Sequence, residues 1–372
     1  YVGGIAVNGL GHCHPRIQQC LRERAETILH CSNYFYNEPA VQTAKLIVEH
    51  SCFEKVLFAN SGAEANEGQI KLARKYAKDH GHPERYVVIT MKKSFHGRTL
   101  ATCTATGQYG VHRYFEPLPD GFRYAEFNNL ESVKMLMDEY VCAILTEPVQ
   151  GAPPAPPPPA PARGGGGVNP ATPEFLQGLR ELCDEKGILL MFDEVQVGSG
   201  RTGKLFAHQN YGVEPDTCSM AKALGSGVPI AAVCARGDAA KTLTPGTHGS
   251  TFAGGPLACA LAMTTLDVML NEGVIDNCAK VGAYFRQRAH EVIEKNHPDA
   301  VKEIRGLGLI NGIQLTKESG KPVVDLCFED NKVLINCTAG NVLRFIPPLV
   351  TTEEEVDIVI NAVDAAMTKL GW

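Results

Sequence analysis

The chain has 372 residues, of which 44% are hydrophobic and 20% charged, an ordinary globular balance with length for a large domain plus a smaller one. A net charge of −6 without a long basic run argues against nucleic-acid or anionic-membrane partners, and no run of 18 apolar residues or secretory leader is visible, so a cytoplasmic protein that spans no membrane is expected. Thirteen cysteines without a C-x-x-C pair suggest reduced thiols and no bound metal.

Short apolar strands alternate with helical patterns along the first two thirds of the chain. They are Val56–Phe58, Tyr86–Thr90, Cys142–Thr146, Ile188–Phe192 and Ile230–Cys234. This alternation predicts an α/β fold, a mostly parallel sheet with helices on both faces. The segment Ala152–Gly167 interrupts it with seven prolines and four successive glycines, a composition that predicts an exposed polyproline loop. From about Ala258 a long helix is expected, then strands near Val301–Arg305, Leu309–Gln314, Val333–Ile335 and Val342–Phe345, and a last helix after Thr351. The chain thus divides into an N-terminal segment (1–36), a large domain (37–257, carrying the Pro/Gly-rich insertion 152–167) and a small C-terminal α+β domain (258–372).

Asp193 ends the apolar run Ile188–Phe192, and Lys222 follows 29 positions later among small residues. Open α/β sheets place ligand-binding groups at the carboxyl ends of parallel strands. A lysine poorly solvated at such a site is held neutral and nucleophilic. The pair suits pyridoxal phosphate, whose aldehyde needs a lysine and whose pyridine nitrogen needs a carboxylate. Taken alone, a helix-capping acid and a solvated turn lysine fit the same residues.

After Val56–Phe58, Ser61 and Glu64 have the S-x-x-E spacing of a capping box, which starts a helix with its free N–H groups at the sheet edge. Ser61, Gly62 and Ala63 are therefore either a plain cap or a phosphate cradle. Phe95 and Arg98, in Ser94-Phe95-His96-Gly97-Arg98-Thr99, offer a ring for stacking and a guanidinium for a carboxylate. His96 reads as a packed or hydrogen-bonded histidine. Thr247–Gly255 is a Gly-rich turn suited to phosphate or to tight packing. Arg344, alone in an apolar strand, needs an anion, which is a structural partner or a substrate carboxylate.

These residues, with Gly4–Val7, Leu10–Pro15, Asn60–Glu67, Ser94–Leu100, Glu147–Gly151, Phe175–Arg180, Phe192–Gln196 and Gly200–Gly203, closely resemble the class III, ω-amino acid aminotransferases of the fold-type I pyridoxal phosphate enzymes. The likeness covers nearly the whole chain and is greatest to the acetylornithine aminotransferases. It implies transfer of the terminal amine of N2-acetylornithine to 2-oxoglutarate in arginine biosynthesis. Ornithine, succinylornithine and 4-aminobutyrate are alternative donors. By the same resemblance Lys222 forms the Schiff base and shuttles the proton, and Asp193 pairs with the pyridine nitrogen. Gln196 contacts the phenolic oxygen, Phe95 covers the ring, and Ser61, Gly62 and Ala63 bind phosphate. Thr251 reaches the phosphate of a neighbouring subunit, which implies a homodimer with shared sites. Arg98 and Arg344 take the substrate carboxylates.

Three departures from the family pattern accompany this likeness. The family places a glutamate after the Q-G pair to neutralise Arg344 during the ω-amine half-reaction, and here Ala152 stands there. Gly254-Gly255-Pro256 replaces a commoner G-N-P, and the chain opens where relatives carry a longer N-terminal segment. A truncated N-terminus is expected from the last, and beside a working aminotransferase stands the alternative of a cofactor-binding protein of this fold with turnover impaired by the altered 152–167 loop.

Overall fold

The computed structural model describes residues 1–151 and 167–372. The polyproline reading and the replacement of the family's glutamate by Ala152 therefore lie outside the described residues, which include only Gly167 of that segment. A seven-stranded sheet is formed by β1 (Lys55–Ala59), β2 (Val87–Met91), β3 (Phe122–Ala125), β4 (Val141–Thr146), β5 (Leu189–Asp193), β6 (Thr217–Met220) and β7 (Ala231–Ala235). Its order is β1-β7-β6-β5-β4-β2-β3. Four neighbouring pairs are parallel, and only β7 runs antiparallel to both of its neighbours. The mostly parallel α/β expectation is met, with β3 and β6 as strands that apolar patterning missed. Both are short, and β6 (Thr-Cys-Ser-Met) has no continuous apolar run to signal it.

Why the central strands are apolar throughout follows from their two covered faces. Ile89, Met91, Ile144, Leu190 and Phe192 pack into one core. Their neighbours Val88, Ala143, Leu145, Leu189 and Met191 pack into a second core on the opposite face, with Leu72, Ala73 and Ala77 of the helix Gly62–Asp79. Truncating the fully buried Phe192 to Ala would cost about 3–5 kcal/mol.

A second, antiparallel sheet of β8 (Val301–Leu307), β9 (Ile310–Leu315), β10 (Asn336–Thr338) and β11 (Val342–Phe345) has the order β8-β9-β11-β10. The strand expected at Val333–Ile335 is displaced to Asn336–Thr338, because Val333 and Ile335 instead pack into the core beneath that sheet. The single long helix expected from Ala258 is two, Pro256–Asn271 and Val274–Arg288, separated at Glu272–Gly273. Among the described residues no single helix is long and apolar enough to cross a membrane.

The two sheets are tied together by Arg201, fully buried in the turn after β5. Its Nη1 donates to Leu309 O (3.0 Å) and Pro347 O (2.5 Å), and Leu309 N donates back to Arg201 O (2.9 Å). Burial without a carboxylate partner among the described residues lowers its pKa to about 10. It stays cationic at neutral pH.

Candidate active site

The carboxyl ends of β1, β2, β4 and β5 open onto a cavity of about 390 Å³. Ser61, Gly62, Ala63, Phe95, Arg98, Asp193, Gln196 and Lys222 all line it. Eight of the ten site residues expected from sequence are thus brought together in one place. Arg344 and Thr251 are not among the lining residues.

Asp193 closes β5 and is held from four sides. Its Oδ2 accepts from Asn66 Nδ2 at 2.7 Å and from His96 Nδ1 at 2.8 Å, and its Oδ1 accepts from Val195 N at 3.0 Å. Ser219 Oγ lies 3.4 Å from Oδ1 while donating to Asn66 Oδ1 at 2.7 Å. Three donors fix the carboxylate with little rotational freedom. The bond to Asp193 also sets the imidazole of His96 as the Nδ1–H tautomer.

Lys222 follows β6 and sits at φ +47°, a left-handed conformation that costs a non-glycine residue roughly 1–3 kcal/mol and clusters at functional sites. Burial lowers its amine's pKa to about 8, with Asp193 opposing that shift and the Arg344 charge reinforcing it. A substantial neutral fraction is therefore present near physiological pH, which an amine needs in order to attack a carbonyl.

The cradle expected at Ser61–Ala63 coincides with the N-terminus of the helix Gly62–Asp79. Ser61 Oγ accepts from Glu64 N at 3.2 Å, the expected half of the capping box. The return bond differs from expectation, because Glu64 Oε2 accepts from Asn60 N (2.7 Å) and Asn60 Nδ2 (2.8 Å), one residue earlier than the cap. Gly62 is required by packing, since a Cβ there would stand 2.5 Å from Val195 Cγ1. The helix dipole and its first amides favour an anion at this end.

Arg98 is exposed at the cavity and lies over the Phe95 ring, 5.5 Å from its centroid. Arg344 on β11 is 5% exposed. Its Nη1 donates to Gly151 O at 2.7 Å, and the Asn336 amide turned to suit it accepts from Nη2 at 3.0 Å and donates to Arg344 O at 3.1 Å. Burial lowers its pKa to about 10. Neither arginine has a carboxylate partner among the described residues. Thr251 is exposed, in a loop tied to the cradle by the 2.9 Å bond from Asn60 Nδ2 to Ser250 Oγ.

The model of the family described as "Aminotransferase class-III" matches residues 1–367. The chain belongs to the class-III aminotransferases. An acetylornithine aminotransferase of Caldanaerobacter subterraneus subsp. tengcongensis is 46% identical over 370 residues, covering 100% of this chain and 90% of the relative. A succinylornithine transaminase of Salmonella paratyphi A is 44% identical over 363 residues, covering 96% and 84%. The crystal structure of a Toxoplasma gondii ornithine aminotransferase, reported with partial occupancy of pyridoxal phosphate at its active site, superposes with a TM-score of 0.90 at 34% identity, covering 100% of this chain and 87% of that one.

Class-III aminotransferases act through pyridoxal 5′-phosphate, and the residues of this one fit it. An amine with a lowered pKa, a fixed carboxylate and a helix N-terminus face one cavity, and the Gln196 Oε1 is buried without a partner among the described residues. In this class-III aminotransferase three groups that the sequence reading did not single out, Asn66, Ser219 and Glu147, complete the site, and His96 is the buried, hydrogen-bonded histidine expected. Asn66, His96 and Ser219 hold Asp193, as described. Glu147, 6% exposed, lines the same cavity and accepts from Phe95 N at 3.1 Å. Burial, reinforced by the charge of Asp193, pushes the Glu147 carboxyl well above the usual carboxylate range. A signal existed for Asn66, since Asn66 and Gln69 are polar residues three apart on the helix face that otherwise buries Ala65, Ile70 and Ala73.

Proposed function

We propose that this aminotransferase moves the terminal amine of N2-acetylornithine to 2-oxoglutarate, giving N-acetylglutamate 5-semialdehyde and glutamate, as a cytoplasmic homodimer in arginine biosynthesis. The observation that carries this reading is the cavity itself, where Lys222, Asp193 and a helix N-terminus meet, with two arginines nearby that have no carboxylate partner among the described residues. Pyridoxal phosphate supplies the electron sink that lets a proton leave the carbon bearing the amine.

The chain's own residues do the rest. Ser61, Gly62 and Ala63 hold the phosphate by the helix amides, Phe95 covers the ring face, Gln196 meets the phenolic oxygen, and Asp193 keeps the pyridine nitrogen protonated. Lys222 would hold the cofactor through its aldehyde, and its amine, freed when a substrate amine takes that place, would move the proton at the reacting carbon. Arg98 grips the carboxylate far from the reacting carbon in both substrates. Arg344 holds the carboxylate next to the reacting carbon, which only glutamate and 2-oxoglutarate have.

Thr251 meets the phosphate of the partner copy in this reading, consistent with its exposure outside its own cavity. Tyr34 (88% exposed) and Tyr36 (99% exposed) support a face covered by that second copy. The domain division at 257/258 crosses the helix Pro256–Asn271, whose Cys259 and Leu266 pack under the large sheet while Val268 and Met269 pack with the small one. That helix serves as the joint between the two domains.

The 44% identity to a succinylornithine transaminase favours N-succinylornithine as a second donor. Initial rates with N-acetylornithine, N-succinylornithine, ornithine and 4-aminobutyrate against 2-oxoglutarate test the assignment. The highest kcat/KM is expected for N-acetylornithine, and a preference for unacylated ornithine or 4-aminobutyrate would overturn it.

A further inference from the structure

Beneath the large sheet, away from the cofactor cavity, Cys52, His208 and Glu194 stand in line. Glu194 follows Asp193 in sequence and is 1% exposed. Both of its oxygens are engaged by the turn that carries the histidine: Oε2 accepts from Ala207 N (2.5 Å), and Oε1 accepts from His208 N (2.8 Å) and His208 Nδ1 (2.9 Å). That last bond places the ring proton on Nδ1 and turns Nε2 the other way. Nε2 lies 3.8 Å from Cys52 Sγ. The imidazole, 3% exposed, packs against the rings of Phe53 and Phe206, with centroids 5.7 and 5.3 Å away. Nucleophile, base and base-orienting acid are therefore all in hydrogen-bond order on a fixed ring.

Access exists as well. Cys52 is half-buried, and a groove of about 410 Å³ reaches Cys52 and His208 between Glu49, His50, Gln209 and Glu214.

We infer that Cys52 is a reactive thiol, activated by His208 and Glu194, that is open to covalent modification by small neutral disulfides. His208 Nε2 takes the Cys52 proton and keeps it. The thiolate bonds to one sulfur of the disulfide, the disulfide S–S bond breaks, and its electron pair leaves on the second sulfur, which takes a proton from water. Cys52 is thereby oxidised to a mixed disulfide and one half of the reagent is reduced to a thiol.

The surrounding electrostatics agree with this direction. Burial opposes the imidazolium, yet the Glu194 charge and the Cys52 partner outweigh it and raise the His208 pKa to about 9. The other ionisable groups facing the pair are Cys218 and Cys234 on β6 and β7, whose thiols burial pushes far up, and Tyr211, raised to about 12 and donating to Pro148 O. None of them competes for the proton at neutral pH. At the groove mouth Glu49 pairs with Lys45 at 3.6 Å and Glu214 with Arg236 at 2.7 Å, and His50 Nδ1 is bound to Leu46 O at 2.9 Å. The mouth is close to neutral, which suits an uncharged reagent.

The test treats the cofactor-loaded protein with 4,4′-dithiodipyridine and maps modified peptides by mass spectrometry. The exposed Cys13 serves as an internal measure of reagent access. At pH 6, Cys52 is expected to react at least ~10-fold faster than Cys13 and to lose little rate between pH 8 and pH 6. A thiol without such a partner loses about tenfold per pH unit below its pKa of ~8.5. In His208→Gln the Cys52 rate at pH 6 should fall at least ~10-fold while Cys13 is unchanged. The wild-type pH profile decides the matter even if that variant fails to fold. An unmodified Cys52, or a Cys52 rate that falls tenfold per pH unit, would overturn the proposal.

Discussion

The side-chain amide of Asn66 lies 2.7 Å from Asp193 Oδ2, the oxygen that also accepts from His96. The same amide nitrogen donates to the backbone O of His96 at 2.8 Å, so one asparagine holds both the acid and the backbone that carries the imidazole beside it. Asn66→Ala should lower stability by about 1–3 kcal/mol, the cost of leaving a buried acceptor unpaired. Asp193→Asn should leave the fold intact and slow proton removal from the substrate carbon about 10²-fold or more. Denaturant midpoints and single-turnover rates separate the two. Equal effects of both variants on stability, with no loss of rate for Asp193→Asn, would assign Asp193 a structural role.

In the proposed function the two arginines divide the substrate carboxylates. Losing a charge-assisted bidentate contact is worth roughly 1.5–3 kcal/mol, or about 10- to 150-fold. Arg98→Ala should raise the apparent KM for N-acetylornithine and glutamate alike by that factor. Arg344→Ala should damage glutamate and 2-oxoglutarate much more than N-acetylornithine. Steady-state kinetics in both directions check this, and parallel losses in the two variants would contradict the division.

The Lys222 amine makes stability depend on pH in a signed way. Its pKa falls from 10.5 to about 8 on folding, through burial. Between those values the unfolded chain binds more protons, so the cofactor-free protein gains stability as pH rises from about 8 to about 10.5. Below about pH 8 the burial penalty is present in full. Thermal unfolding of cofactor-free protein and of Lys222→Met should therefore show the variant's advantage shrinking between pH 8 and 10. Parallel curves would mean that the amine is not desolvated.

Glu147 has its carboxyl held well above the usual range by burial and by Asp193. A glutamine keeps an acceptor for Phe95 N without adding charge. Glu147→Gln should keep kcat within about threefold of wild type, whereas Glu147→Ala strips Phe95 N of its acceptor at a cost of about 1–3 kcal/mol. A collapse of kcat in Glu147→Gln, read from initial rates, would show that the ionised form is needed.

What the sequence made legible was whatever rests on local pattern. Apolar runs marked β1, β2, β4, β5 and β7, because burial on both faces demands them, and Asp193 could be placed at a strand end for the same reason. β6 was not legible, since Thr217 and Ser219 break its apolar run. Ser219 instead points to Asn66, a contact 153 residues apart in sequence. The missed residues share that property. Asn66, Glu147 and Ser219 matter through partners on other elements of the fold, and no spacing rule along the chain encodes those distances. Ser61 was legible as a cap, yet the return bond of Glu64 to Asn60 depends on how the β1 end turns into the helix.

The most direct test follows the cofactor's absorbance through two half-reactions of the loaded protein. Addition of N-acetylornithine alone should abolish the band of the Lys222-bound cofactor in a single turnover, and 2-oxoglutarate should then restore it with release of glutamate. Lys222→Ala should fold and still admit cofactor but show no catalysed cycle, a loss of at least ~10²–10⁴-fold. A wild-type band unmoved by N-acetylornithine, or near wild-type cycling by Lys222→Ala, would contradict the account.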